Sequence, residues 1–427
     1  MFAYCTVAHR AGFVYTQSMA NKRKKKLTRK DIRHMDHFRH LTGLTESLHE
    51  AYIDPAHPNK RKLHYDQYVV LLLLYFFSPV CDSLRRVQQA TEFKKVQKLL
   101  GVKRFGRSTI AEAATVFDPE LLKPIIGDLI RRVPDNNLAT LGNEDLQQIV
   151  TLVDGSYLPG IARMLWADYR RDTDQKAAKA HVQFELGKGV PVAGTITPGN
   201  ASEVATFEQT LEKARLYVLD RGYAKYELLQ NILDAGSDFV VRLRDNTAFE
   251  VVEERVLHEH ALQAGVVRDA LVRVGCAATR EKLREPIRIV EVECTPHRRS
   301  NKQTGRGGPE QGDTILIGTS RDDLTPQMIS TIYKQRWQIE IFFRFFKHVL
   351  GCDHLIGESK NAIELQLYIS LIACLLIAVY TGLKPNKHIW GLVQFYLTGW
   401  ASEDELIEQL TKYRDEQARK EAAKNKS

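Results

Sequence analysis

The sequence predicts an α/β fold: a mixed core interrupted by a mostly β insertion and preceded by an α-helical N-terminal domain. Three observations carry that prediction. Helix punctuation dominates residues 31–140. Short β-branched runs then alternate with helical segments, and two of those runs deliver an aspartate at their end. Finally, Tyr333–Leu350 (YKQRWQIEIFFRFFKHVL) has the period of a helix with one apolar face.

Residues 1–30 form a basic flexible tail, whose run Asn21–Lys30 (NKRKKKLTRK) suits a solvated arm that touches DNA phosphates without sequence preference. Met19 directly precedes it and is a candidate start. Within 31–140, Thr109 and Glu112 make a T-x-x-E capping box, and Asp118-Pro119 reads as an N-cap followed by proline at the first helical position. The intervening turn GVKRFGRS carries Lys103, Arg104, Arg107 and Phe105, which fits either a helix–turn–helix-like DNA reader or an ordinary glycine-bearing loop. VPDNN at 133–137 closes the domain.

The period changes in 141–240. Gln148–Val153 is a short strand running into Asp154. His181–Leu186 and Val190–Thr197, joined by Gly187-Lys188-Gly189, read as a hairpin. A helix around Val204–Ala214 precedes the strand RLYVL, which ends at Asp220. Phe239–Leu243, Ile287–Glu293 and Thr314–Gly318 are strand-like, and those within 241–325 belong to a β-rich insertion that also holds the basic, glycine-rich Arg298–Gly312. Core character returns in 326–400, and a charged tail occupies 401–427.

Read as one helix at about 100° per residue, Tyr333–Leu350 sets Tyr333, Arg336, Glu340 and Lys347 within roughly 60° of one another. Trp337 and Arg344 flank that stripe, while Ile332, Ile339, Phe342, Phe343, Phe345, Phe346 and Leu350 cover the far side. Two arginines four residues either side of Glu340 fit a solvated salt-bridged face equally well. The rigid phosphate-binding types beside a lone acid favour the functional reading.

A formal charge of +9 over 427 residues favours a polyanionic partner, nucleic acid first. Six scattered cysteines without a C-x2-C pair argue against a zinc ribbon or disulfide framework and suit a reducing cytoplasm. Leu365–Leu383 has the length of a membrane span, but Gln366 and Ser370 within it favour a buried helix, so no membrane is expected as a partner.

Asp154, Asp220 and Glu340 are separated by 66 and 120 residues and meet only through the fold. Three carboxylates without His or Cys suit Mg²⁺ or Mn²⁺, and two such ions support in-line phosphoryl transfer.

The spacing Y-x2-R-x3-E-x6-K of Tyr333, Arg336, Glu340 and Lys347 resembles the signature of the insertion sequence four family of DDE transposases. The resemblance extends over most of 145–385. It includes V-D-G-S at 153–156, Lys179 and His181 of a K-x-H strand, L-D-R-G-Y at 219–223 and F-V-V-R-L-R at 239–244. It implies an RNase H-like core with Asp154, Asp220 and Glu340 as catalytic residues and metal ligands, and Tyr333, Arg336 and Lys347 on phosphates. It further implies cut-and-paste transposition of an insertion sequence: hydrolysis at the terminal inverted repeats, then strand transfer into target DNA. The expected partners are double-stranded DNA and a second copy in a synaptic complex, in a prokaryotic cytoplasm or on its nucleoid. Some members of the family open the second strand through a hairpin, aided by a tryptophan in the insertion; residues 241–325 hold none. The rival readings are a transposase-derived protein that binds DNA without cutting and a nuclease without strand transfer.

Overall fold

The chain is organised on one nine-stranded sheet, here seen in a computed structural model that describes residues 45–49, 63–101, 103–134, 148–170, 174–294 and 313–424. The basic tail, Met19, the loop 298–312 and the turn residues 135–137 lie outside the described residues.

Strand β1 (Ile149–Pro159) pairs antiparallel with β2 (Ala177–Glu185), which turns through Gly189 into β3 (Val190–Pro198) as the expected hairpin. On its other side β1 runs parallel to β4 (Arg215–Leu219), and β4 parallel to β5 (Asp238–Arg242). The remaining strands, β6 (Phe249–Glu254), β7 (Val266–Val274), β8 (Ile287–Glu293) and β9 (Thr314–Thr319), extend the same sheet antiparallel, giving the order β3-β2-β1-β4-β5-β9-β8-β7-β6. The 241–325 segment is therefore mostly β and continuous with the sheet.

Strand alternation buries both faces. Leu152, Leu216, Val218 and Val240 enter one apolar cluster, while Val153, Tyr217, Leu219, Phe239 and Val241 enter the other. The first cluster is shared with helices α1 (Tyr65–Phe77), α2 (Leu84–Ala90), α3 (Lys94–Leu100), α4 (Arg107–Val116) and α5 (Lys123–Arg132), so the N-terminal helices build on the core. The second is covered by α6 (Glu203–Glu208) and α7 (Tyr226–Asp234). After the short α8 (Glu259–Gln263) come α9 (Pro326–Lys334), α10 (Trp337–His348), α11 (Lys360–Thr381), α12 (Lys387–Leu397) and α13 (Glu403–Lys424).

Helix α11 is the span-length apolar segment, and 89% of its apolar window is buried inside the protein. It lies directly on β3 at Gly194, where an added Cβ would stand 2.9 Å from Leu367 Cδ2. Asn361 Nδ2 donates to the carbonyls of Ala114 and Phe117, tying α11 to the end of α4.

Several sequence expectations are corrected. Strand β1 does not stop at Asp154, because residues 155–159 keep pairing with β2 after the contact with β4 ends at Leu152. The helix expected over Val204–Ala214 is only Glu203–Glu208; Ala214 takes a left-handed φ of 63°. Helix α4 opens at Arg107 with Gly106 as N-cap, two residues before Thr109, so the capping box does not form. Phe105, only 3% exposed and hydrogen-bonded through its amide to Thr91 Oγ1, anchors that earlier start. Asp118, by contrast, does cap, accepting from the Glu120 amide ahead of a single 3-10 turn. The expected helix Tyr333–Leu350 is two, broken at Gln335–Arg336. There the amides of Arg336, Gln338 and Ile339 bond carbonyls three residues back, at 3.0, 2.9 and 3.2 Å, a tighter winding than the α-helix.

Candidate active site

The β1–β4 ladder closes at Leu152 and Val218; Asp220 lies just past the carboxyl end of β4, and Asp154 sits two residues beyond the end of that parallel ladder, on the part of β1 still paired with β2. In open α/β sheets this edge is where ligands bind. Asp154 Oδ1 accepts from the Gly155 amide at 2.8 Å. Asp220 caps the 3-10 turn Arg221–Tyr223, its Oδ1 accepting from Gly222 N at 2.7 Å. Both carboxylates are thus oriented by backbone amides one or two residues further along the chain.

Helix α10 brings the third acid. Glu340 lies in its first turn and accepts from Arg336 Nη2 at 2.6 Å, with both side chains largely buried. The Arg336 guanidinium also lies in the field of Tyr333 and of Asp154. Tyr333 in turn lies near Asp220, Arg242 and Arg336, and burial pushes its hydroxyl above the ordinary tyrosine range. The helix break therefore leaves Tyr333 and Arg336 beside the aspartates, although Tyr333 no longer shares one straight helix with Glu340.

Burial raises the Asp154 carboxyl to about 7, and the like charges of Asp220 and Glu203 add to that; the Gly155 amide and Arg336 act in the opposite sense. An all-oxygen donor pair with surplus negative charge fits a hard divalent cation. Among the described residues no three His, Cys, Asp or Glu side chains stand close enough to grip an ion. The expected third carboxylate, Glu340, is tied to Arg336 instead.

The other expected contacts fall into two groups. Trp337 is 46% exposed, and the exposed Arg344 guanidinium lies 5.9 Å from its ring centroid. Lys347 sits near Asp353 rather than the aspartates, and burial holds its amine below the ordinary lysine range. Lys103, Arg104 and Arg107 are exposed on the α3–α4 connection, where Arg104 pairs with Glu92 at 3.5 Å. Phe105 of that turn is core, not a surface aromatic.

Sequence reasoning missed Glu203 and read Arg242 only as part of F-V-V-R-L-R. Glu203 packs against Gly155, and its Oε1 would lie 3.1 Å from a Cβ placed there. No spacing pattern pointed to it. Tyr223 was read only as part of L-D-R-G-Y; it is buried close to Glu203, Asp154 and Asp220.

Comparison with known proteins decides the family. The profile of the transposase DDE domain family matches residues 146–376, more than half of the chain. The chain belongs to the DDE transposase family. It is 25% identical over 320 residues to a probable transposase for insertion sequence element IS5377 of Geobacillus stearothermophilus, covering 74% of this chain and 78% of that protein. Over 240 residues it is 29% identical to the putative transposase y4zB of Sinorhizobium fredii, covering 55% of this chain and 62% of that one. A cryo-EM structure of a piggyBac transposase synaptic complex with hairpin DNA aligns over 93% of this chain and 80% of its own, at a TM-score of 0.36 and 10% identity. This DDE transposase is accordingly an enzyme of DNA breakage and joining, and its family implies dependence on a divalent metal.

Proposed function

We propose that this transposase moves its insertion sequence by cut-and-paste: hydrolysis at the terminal inverted repeats, then transfer of the freed 3′ ends into target DNA. The observation that carries the reading is the meeting of Asp154 and Asp220 just past the end of the parallel β1–β4 ladder, with Arg336 between them and Glu340. The half-sheet β3-β2-β1-β4-β5, three antiparallel strands followed by two parallel ones, supports an RNase H-like core. The division into a basic arm (1–30), helical DNA-binding domain (31–140), core (141–240 and 326–400), β insertion (241–325) and charged tail (401–427) belongs to the same reading.

Asp154, Asp220 and Glu340 would hold Mg²⁺ or Mn²⁺, as two ions, which when bound activate the attacking oxygen and stabilise the leaving one. The chain's own part is positioning. A DNA phosphate offers Arg336 a second anion with matching geometry, and binding it frees Glu340 to turn toward the aspartates. Tyr333 stands beside Asp220 to orient the scissile strand, while Lys347 and the exposed Trp337 and Arg344 hold the flanking backbone. Lys103, Arg104 and Arg107 contact DNA farther out. A homodimer would synapse the two ends, in a prokaryotic cytoplasm and on its nucleoid.

An excision assay in cells tests this, with a plasmid carrying the native flanks around a marker. Wild type should excise the marker and Glu340→Gln should not. Equal excision by both would remove Glu340 from the site, and binding without excision by either would favour the non-cutting rival.

A further inference from the structure

Glu203 has surroundings that a surface acid on a short helix does not need. Its carboxylate lies over Gly155, the residue after Asp154, closely enough that a side chain at 155 would meet it. The same carboxylate oxygen, Glu203 Oε1, lies 3.1 Å from Lys179 Nζ. That lysine is 4% exposed, donates to the Ala201 carbonyl at 3.3 Å and lies 4.7 Å from the Tyr157 ring centroid. Lys179 is thereby fixed by three neighbours, and it fixes Glu203 in turn. A buried lysine held this way is costly unless its anion has a fixed place.

The second observation is independent of these charges. Tyr223 is 1% exposed, and its hydroxyl lies among Glu203, Asp154 and Asp220, yet makes no hydrogen bond. A buried hydroxyl without a partner carries a desolvation cost, so its persistence at a site points to a ligand or to water that completes it. The acid that acts on it most strongly is Glu203.

We infer that Glu203 is a fourth acidic side chain of the catalytic centre, a positioning residue that accepts hydrogen bonds from the water shell of a divalent cation on Asp154 and Asp220. The inference rests on the metal reading of those two aspartates. Lys179 holds the carboxylate in place, and the Tyr223 hydroxyl completes the same hydrogen-bonded shell. Outer partners of this kind tune metal affinity, typically by about 10- to 100-fold.

The test is Mn²⁺ binding to the metal-stripped full-length chain, read from the electron paramagnetic resonance signal of free Mn²⁺. Glu203→Gln should raise the dissociation constant by roughly tenfold, and Glu203→Asp should recover part of the loss. Glu208→Gln, on the same helix but paired with Asn231, should bind as wild type does. Should Glu203→Gln fail to fold, Tyr223→Phe removes one hydroxyl from an intact site, and a smaller rise in the constant is expected. Wild-type affinity in folded Glu203→Gln, or in Tyr223→Phe where Glu203→Gln does not fold, would overturn the inference and leave Glu203 as the counter-ion of Lys179. Asp154→Asn separates the two levels of the reading. If it binds Mn²⁺ as wild type does, the metal site itself is misplaced; if it does not while Glu203→Gln does, only the role of Glu203 fails.

Discussion

Replacing Asp154 by asparagine should stabilise the metal-free transposase while abolishing cleavage. Burial lifts this carboxyl to about 7, with Asp220 and Glu203 adding to the effect. A folded-state value above the unfolded one means that the native chain binds the extra proton. Stability is then greatest at low pH and falls as pH rises from about 4 to about 7, where the cost becomes complete. About three pH units at about 1.4 kcal/mol each is roughly 4 kcal/mol, and partial solvent contact reduces this to roughly 2–3 kcal/mol. At about 2 °C per kcal/mol for a chain of this size, Asp154→Asn should gain roughly 4–6 °C in Tm at pH 8 in EDTA. The gain should shrink toward zero near pH 4.5, where the wild-type carboxyl is already protonated. Scanning calorimetry of the two chains across that range is the assay. No gain at pH 8, or a gain that grows on acidification, would refute the electrostatic account of the site.

Other perturbations probe other parts of the structure. Asp269 and Arg288, each 4% exposed, form a two-pronged pair at 2.6 and 2.8 Å, and Arg288 also donates to the Leu324 carbonyl. Asp269→Ala strands a buried guanidinium and should cost about 3–5 kcal/mol by denaturant unfolding. Phe105→Ala should cost about 3–5 kcal/mol as a core truncation. Lys103→Ala and Arg107→Ala should leave stability unchanged and each lower the slope of log K against log salt for DNA binding by about one. Arg336→Ala should cut DNA cleavage by roughly 10²-fold, and Arg336→Lys should recover little because an ammonium cannot make the two-pronged phosphate contact. Full activity in Arg336→Lys, measured on a labelled terminal repeat, would count against that geometry.

What the sequence made legible was whatever rested on local pattern. RLYVL is β4 to the residue, because five apolar-rich residues buried on both faces carry their own signature. The hairpin through Gly187–Gly189 was readable for the same reason, and so was the apolar side of α10, where Ile339, Phe342, Phe343, Phe345 and Phe346 are all buried. The length of β1 was not readable, because residues 155–159 are strand only by virtue of β2, whose partner residues lie 18 to 26 positions further along the chain. The break at Gln335–Arg336 was hidden too: neither glycine nor proline marks it, and both residues keep right-handed backbone angles. Phe105 and Glu203 illustrate the general limit. An aromatic in a basic turn and an acid at the start of a six-residue helix take their meaning from Thr91 and Lys179, which no spacing rule connects to them.

The two kinds of contact also divide the work at the site. Asp154 and Asp220 are placed by the sheet and oriented by backbone amides, so their positions follow from the fold and persist without DNA. Glu340 is placed by a local contact four residues long, to an arginine whose chemistry is that of a phosphate ligand. A group held by fold-wide pairing changes place only if the sheet does; one held by a single ion pair changes place when a better anion arrives. On the proposed reading, Glu340 would be the acid whose side chain DNA can turn. The helix break at Gln335–Arg336 puts that arginine at the start of α10, one turn from Glu340 and in the field of Asp154. Occupation of Arg336 by a transposon-end phosphate and completion of the carboxylate set would then be a single event, which ties the competence to cut to the presence of the DNA to be cut.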